Sequence, residues 1–220
     1  MEFKGAIFDF DGVIVDTTPL HYSSWKKLII DDHKIPFNRN IYEAIVNGRK
    51  SSDVIAKLLK HLPKHHQKKA LALKQRYYLE LIDQGKLKIF DSTIKLIQEL
   101  LENNIKIAVS SSSRSVAYVL KKSNIINLFD IVISGNEIKN SKPHPESFIR
   151  AAKQLKLKIN ECIVFEDTKV GIEAAKIGGF LCIGIDRNNN PKHYKMADIH
   201  VNDLNEINYH KLVKLFENKL

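Results

Sequence analysis

The sequence predicts an α/β fold, a doubly wound parallel sheet with an all-helical cap inserted after its first strand. Three patterns carry the prediction. From residue 87 onward, helical patterns alternate with short apolar runs, the signature of a parallel sheet covered on both faces. Between residues 17 and 86 the chain reads as helices alone. The first apolar run, Gly5-Ala6-Ile7-Phe8, ends abruptly in Asp9-Phe10-Asp11-Gly12. The expected division is a core of residues 1–16 and 87–220 and a helical cap of residues 17–86.

Each element follows from its residues. The first run is apolar on both faces and reads as a buried strand. Carboxylates at i and i+2 then share one side of it. Two carboxylates are not buried without a neutralising partner, so the pair belongs at a solvent-reached strand end, beside a cation. Thr18-Pro19 reads as an N-cap followed by proline at the first helical position, opening a helix over 19–31. Further cap helices are expected over 40–46, 52–61 and 64–84. In the core, helix 91–102 precedes strand 106–110, helix 115–123 precedes strand 131–134, and helix 145–155 precedes strand 161–165. Helix 168–177 precedes strand 181–185, and strand 199–201 and helix 208–218 finish the chain. Ligands of such sheets bind outside the carboxyl ends of the strands. A helical block hanging from that edge is placed to act as a lid.

Composition narrows the function classes. At 220 residues the chain suits a large domain or a core with an inserted small one. No run approaches 18 apolar residues, so no membrane partner is expected. Met1-Glu2-Phe3-Lys4 leads straight into a strand, so no signal peptide is expected. Cys162 and Cys182 fall in separate strand candidates and read as buried hydrophobes, which points to a reducing cytoplasm. The net charge of +10 is spread thinly. Its densest stretch, with Lys64, Lys68, Lys69 and Lys74, lacks any nucleic-acid-binding pattern and reads as a solvated helix face. A monomer or weak homodimer without a specific nucleic-acid partner is expected, with a basic surface that attracts phosphorylated substrates.

Four strand ends carry polar groups. The first holds Asp9 and Asp11. The second is Ser110-Ser111-Ser112-Ser113-Arg114, whose hydroxyls and free N–H groups at a helix start suit an anion. The third is Lys142 in Ser141-Lys142-Pro143, where the proline restricts the lysine's backbone. The fourth is Glu166-Asp167. Phosphoryl transfer needs an ionised nucleophile, a cation, donors for the equatorial oxygens and a proton source. Asp9 would attack phosphorus, and Asp11 would protonate the leaving oxygen and then activate the acceptor. Asp9, the Asp11 carbonyl, Glu166 and Asp167 are oxygen ligands suited to Mg²⁺. Ser111, Ser112 and Lys142 would hold the transferring phosphate.

This order and spacing resemble the haloacid dehalogenase superfamily of phosphotransferases, over essentially the whole chain. The motifs are Phe8-Asp9-Phe10-Asp11-Gly12-Val13, Val109-Ser110-Ser111, Ser141-Lys142-Pro143, and Phe165-Glu166-Asp167-Thr168 with Gly171-Ile172. The resemblance implies a Rossmann-like core, Mg²⁺ dependence, and the first aspartate as nucleophile with the second as acid/base. The helical insertion resembles the small cap of the branch that contains β-phosphoglucomutase and many sugar-phosphate phosphatases. Within that branch Thr17, His21, Trp25 and Lys74 look mutase-like, and Ser113-Arg114 resembles a Ser-Lys pair after the second motif. The resemblance implies that Thr17 and His21 couple acid/base readiness to cap closure. The cap loop Gly48-Arg49-Lys50-Ser51 departs from the mutase pattern. The mutase has a phosphate-gripping arginine three residues after the glycine, where Ser51 stands here, leaving Arg49 or Lys50 as substitutes.

The leading expectation is a phosphatase acting on a small phosphorylated metabolite, a sugar phosphate above all. The alternative is a β-phosphoglucomutase-type mutase, and a third is a non-catalytic phosphometabolite or polyanion binder.

Overall fold

The computed structural model describes residues 2–187 and 195–218. Met1, residues 188–194 and the last two residues, all within the expected core segments, lie outside the described residues. Six parallel strands form one sheet: β1 (Gly5–Asp9), β2 (Lys106–Ser110), β3 (Ile131–Ile133), β4 (Cys162–Glu166), β5 (Leu181–Ile185) and β6 (Ile199–Val201). Their spatial order is β3-β2-β1-β4-β5-β6. The order reverses between β1 and β4, which opens a crevice at their carboxyl ends. The register sets Asp9 beside Ser110 of β2, and Phe8 beside Phe165 of β4.

Both faces of the sheet are covered, as unbroken apolar strands require. On one face Phe8, Val109 and Phe165 pack against α5 (Asp91–Glu102), α6 (Val116–Lys122) and α9 (Tyr209–Glu217) through Leu96, Leu100, Leu120 and Phe216. The Phe8 and Phe165 rings stack with centroids 4.3 Å apart. On the other face Ile7, Ala108 and Val164 pack against α7 (Glu146–Gln154) and α8 (Lys169–Ile177) through Phe148, Ala151 and Ile172. Cys162 and Cys182 are free thiols buried on this second face.

The helical cap follows β1. It comprises α1 (Thr18–Lys26), which runs into a π-helical turn (Lys27–Asp32), and α2 (Arg39–Ile41), which runs into a second one (Tyr42–Val46). Then come α3 (Ser51–Leu58) and α4 (Lys64–Asp83). The cap has an apolar centre of its own around Trp25, Leu28, Ile29, Phe37, Val54 and Leu59. Its two connections to the core are zipped together: Asp16 N donates to Lys88 O, Phe90 N donates to Ile14 O, and Val15 bridges Ile89. No described helix is long and apolar enough to cross a membrane.

Two local expectations are corrected. Thr18 is the first residue of α1, not its cap. Thr17 occupies the N-cap position and makes no side-chain capping bond, because its hydroxyl is spent on Asp11. The shared strand face for Asp9 and Asp11 also fails. β1 ends at Asp9, and Asp11 lies in the following turn. The two carboxylates converge because that turn folds back, with Gly12 N donating to Val15 O. Gly12 makes the turn possible: its φ is +87°, and a Cβ there would collide with the Asp167 carboxylate.

Candidate active site

Between cap and core lies a small cavity of about 40 Å³. The core side contributes Asp9, Asp11, Ser112, Ser113 and Thr168. From α1 come Thr18, His21 and Trp25. The end of the second cap helix and the loop after it supply Tyr42, Val46, Asn47, Gly48, Arg49 and Ser51. Gly48 brings that loop onto the start of α8. Its φ is +73°, and a Cβ would stand 2.7 Å from Val170 Cγ2 and 2.8 Å from Thr168 Oγ1.

Beneath the cavity, Lys142 is 2% exposed and ion-paired to both Asp9 and Glu166. Burial opposes its charge, but the Asp9 and Glu166 carboxylates outweigh that and hold its pKa above the ordinary lysine value. Lys142 pairs with Asp9 and Glu166, and its charge also acts on the Asp167 carboxylate. Burial pushes Asp9 up to about 8; Lys142 opposes the shift, while Glu166 and Asp11 add to it. Asp167 is raised well above the usual carboxylate range by burial and by repulsion from Glu166 and Asp9.

Asp11 is held differently. Its carboxylate accepts from the Thr17 hydroxyl, from His21 Nε2 at 3.1 Å and from Ser111 Oγ at 3.2 Å. Lys74 Nζ lies 2.7 Å from His21 Nδ1. An ammonium can only donate, so Nδ1 accepts and the ring proton sits on Nε2, facing Asp11. The His21 ring also stacks on Tyr78, centroids 4.1 Å apart. Burial raises Asp11, yet His21 and Thr17 prevail and keep it below its ordinary value. Burial and then Lys74 lower His21, so its imidazole is neutral. Asp11 is thus a carboxylate with a proton-carrying neighbour.

The residues singled out from sequence fall into distinct places. Asp9, Asp11, Ser112, Ser113, His21, Trp25, Gly48, Arg49 and Ser51 face the cavity. Thr17, Ser111 and Lys74 stand behind it and hold Asp11 or His21. Arg114 is exposed and does not line the cavity. Lys50 is diverted: its Nζ donates to Ile138 O at 2.6 Å and its backbone N to Ser141 Oγ at 3.2 Å. Sequence reasoning missed Tyr42, Val46, Asn47 and Thr168. It also missed Arg187, which donates to Gly12 O and pairs with Asp203 while its guanidinium lies 3.9 Å from the Phe90 ring centre.

For Mg²⁺ the donor chemistry fits and the placement is incomplete. These carboxylates, raised first by burial and then by one another, lack positive charge, and an all-oxygen set suits this ion. Yet no three His, Cys, Asp or Glu side chains among the described residues converge on one ion position. Glu166 spends one oxygen on Lys142 and the other on Thr168 N and Oγ1. With Glu166 so engaged, Asp9, Asp167 and the Asp11 carbonyl are the expected ligands that would hold the ion.

A carboxylate at a strand end, an ion-paired lysine beneath it and a second carboxylate held by cap residues form one constellation. The model of the haloacid dehalogenase-like hydrolases matches residues 6–185. The chain belongs to this family. A β-phosphoglucomutase from Bacillus subtilis is 29% identical over 188 residues, covering 83% of each chain. A phosphorylated carbohydrates phosphatase from Thermotoga maritima is 26% identical, covering 80% of this chain and 82% of the relative. The crystal structure of a β-phosphoglucomutase from Clostridium difficile superimposes with a TM-score of 0.91 at 28% identity, covering 100% of this chain and 99% of that one. As a member of the haloacid dehalogenase-like hydrolase family with such relatives, the chain is an enzyme of the phosphatase or phosphomutase type.

Proposed function

We propose that this chain is a cytoplasmic Mg²⁺-dependent phosphohydrolase acting on a small sugar phosphate through a phospho-aspartate on Asp9. Asp9 attacks phosphorus, the P–O bond to the sugar breaks, and the leaving oxygen takes a proton from Asp11, which receives it from His21 Nε2 as the Lys74 ammonium protonates His21 Nδ1; the relay runs back when Asp11 takes the proton of water. Water then attacks the acyl phosphate, Asp11 accepts its proton, and inorganic phosphate leaves with Asp9 restored. Lys142 and the Ser111-Ser112 segment hold the transferring group. Mg²⁺ on Asp9, Asp167 and the Asp11 carbonyl would offset the repulsion between carboxylate and phosphate.

The observation that favours hydrolysis over mutation is the fate of Lys50. A mutase must grip the second phosphate of a bisphosphate. With Lys50 tied to Ile138 O and Ser51 neutral, Arg49 is the single cation that the cap loop presents to the cavity. The mutase remains the second reading because the Thr17–Asp11–His21–Lys74 chain is intact. Incubation with β-glucose 1-phosphate and a trace of the bisphosphate separates them. Free phosphate is expected; accumulation of glucose 6-phosphate instead assigns the mutase. Asp9→Asn should lower turnover at least about a thousandfold while leaving the fold intact. Turnover that survives in a pure, folded variant overturns both.

A further inference from the structure

Tyr42 opens the π-helical turn Tyr42–Val46 on the cap side of the cavity. The turn places Val46 on the same wall, and Asn47 N closes it by donating to Tyr42 O at 3.0 Å. Irregular turns of this kind recur at functional sites, where they re-aim side chains. Tyr42 is only 3% exposed. Its ring stands edge-on to Tyr22, centroids 5.6 Å apart and planes at 86°, which fixes where the phenol is directed. Among the described residues, none hydrogen-bonds its hydroxyl. Asp11 and Asp167 from the core, and Glu43 and Arg39 from its own segment, are the charges around it. Burial first, and then those carboxylates, push its ionisation far above the ordinary tyrosine value, so it is a neutral phenol wherever the protein is folded.

The Tyr42 oxygen is not one of the sealed, unpaired polar atoms of the described residues, so it is reached from the cavity, and a ligand that displaces water there must replace the hydrogen bond. We infer that the Tyr42 hydroxyl is a specificity-determining contact that hydrogen-bonds a hydroxyl on the leaving group of a polyhydroxylated phosphate monoester. This rests on the reading of the cavity as a phosphate-monoester site. The core side, with Asp9, Lys142 and the serine segment, takes the phosphoryl group. Tyr42 belongs to the opposite wall and therefore meets what the phosphoryl group is attached to. On the cap side of the cavity the neutral hydrogen-bonding groups are Ser51 and Asn47, whose amide is fixed by a 2.8 Å bond to Glu43, beside the cation of Arg49. Such a wall can read hydroxyls as well as charge. A leaving group that lacks the matching hydroxyl leaves the phenol unpaired in a closed site, which rejects analogues far more strongly than a mismatch in apolar shape.

The test compares kcat/KM for para-nitrophenyl phosphate, which has no hydroxyl, with that for the sugar phosphate turned over fastest in a screen. Tyr42→Phe keeps ring and volume. It is expected to lower the ratio of sugar phosphate to phenyl ester at least fivefold; a smaller fall overturns the assignment. A second arm uses the wild-type enzyme and monodeoxy analogues of the same sugar phosphate. At least one analogue is expected to lose fivefold or more in kcat/KM, and Tyr42→Phe should no longer distinguish that analogue from its parent. Wild-type efficiency on every deoxy analogue overturns the assignment even if the variant does not fold. Asp9-dependent turnover with an unchanged ratio removes Tyr42 alone, whereas turnover that survives Asp9→Asn removes the phosphate-monoester mechanism and the inference with it.

Discussion

Lys74 is 1% exposed, and its ammonium faces His21 Nδ1 and the rings of Trp25 and Tyr78. Burial pulls its pKa down to about 7, with Asp11 acting against the shift. A lysine whose folded pKa lies below its unfolded value costs stability while charged, and the cost fades as pH rises from about 7 towards the unfolded value. Lys74→Met is therefore expected to raise Tm by roughly 5 °C at pH 6 and by less at pH 9.5. Paired thermal melts at the two pH values check this, and a gain that grows with pH contradicts it. The same substitution frees His21 Nδ1 and should lower kcat. At this scale the sequence was informative where a residue has only one plausible task. Asp9, Asp11 and Lys142 were legible because a carboxylate pair and a lysine at strand ends need one another. The N-cap was misplaced by one position, at Thr18 instead of Thr17, because capping and bonding to Asp11 demand the same hydroxyl chemistry. Tyr42 was invisible, since the π-helical turn shifts it off the periodicity by which helical faces are read.

Cap and core meet through two loops. Lys50 reaches Ile138 O, and the Ser141 hydroxyl accepts from Lys50 N while donating to Asp53 at the start of α3. The receiving loop is braced by Glu146, whose carboxylate accepts from the backbone N–H groups of Lys139 and Asn140 at 2.8 Å each. Ser141 precedes Lys142 directly, so the cap docks on the residue next to the buried ammonium. Removing such bonds weakens the docking of cap on core, and substrate affinity is expected to fall with it. Ser141→Ala is expected to raise KM roughly three- to tenfold and to change kcat less. Steady-state kinetics on one sugar phosphate decides it: a loss confined to kcat contradicts the docking role. The elements themselves were legible from the alternation of apolar runs and helical patterns, although the helix expected over 52–61 ends three residues early, at Leu58, and the one expected over 19–31 turns π-helical after Lys26. The contacts between the two loops were not, because residues 50 and 141 are brought together only by the closed cap.

Against the expectation of a thinly spread charge, the charge is uneven at the scale of the whole molecule. Residues 17–86 contain 14 Lys and Arg against six Asp and Glu, so they carry +8 of the net +10. Lys57, Lys60, Lys64, Lys68 and Lys69 are all exposed. A field concentrated on one side draws anionic substrates towards the cavity and is screened by salt. kcat/KM for a phosphate monoester is expected to fall about three- to tenfold between 20 mM and 500 mM salt, with kcat nearly constant; a flat profile contradicts steering. The tie between Asp53 and Ser141 has a consequence for how freely this family can be recombined. A chimaera that grafts a relative's lid onto this body keeps the tie only if the graft carries a carboxylate that meets the seryl group beside the anchoring ammonium. Exchange of modules should succeed only when residues 138–141 travel with the graft.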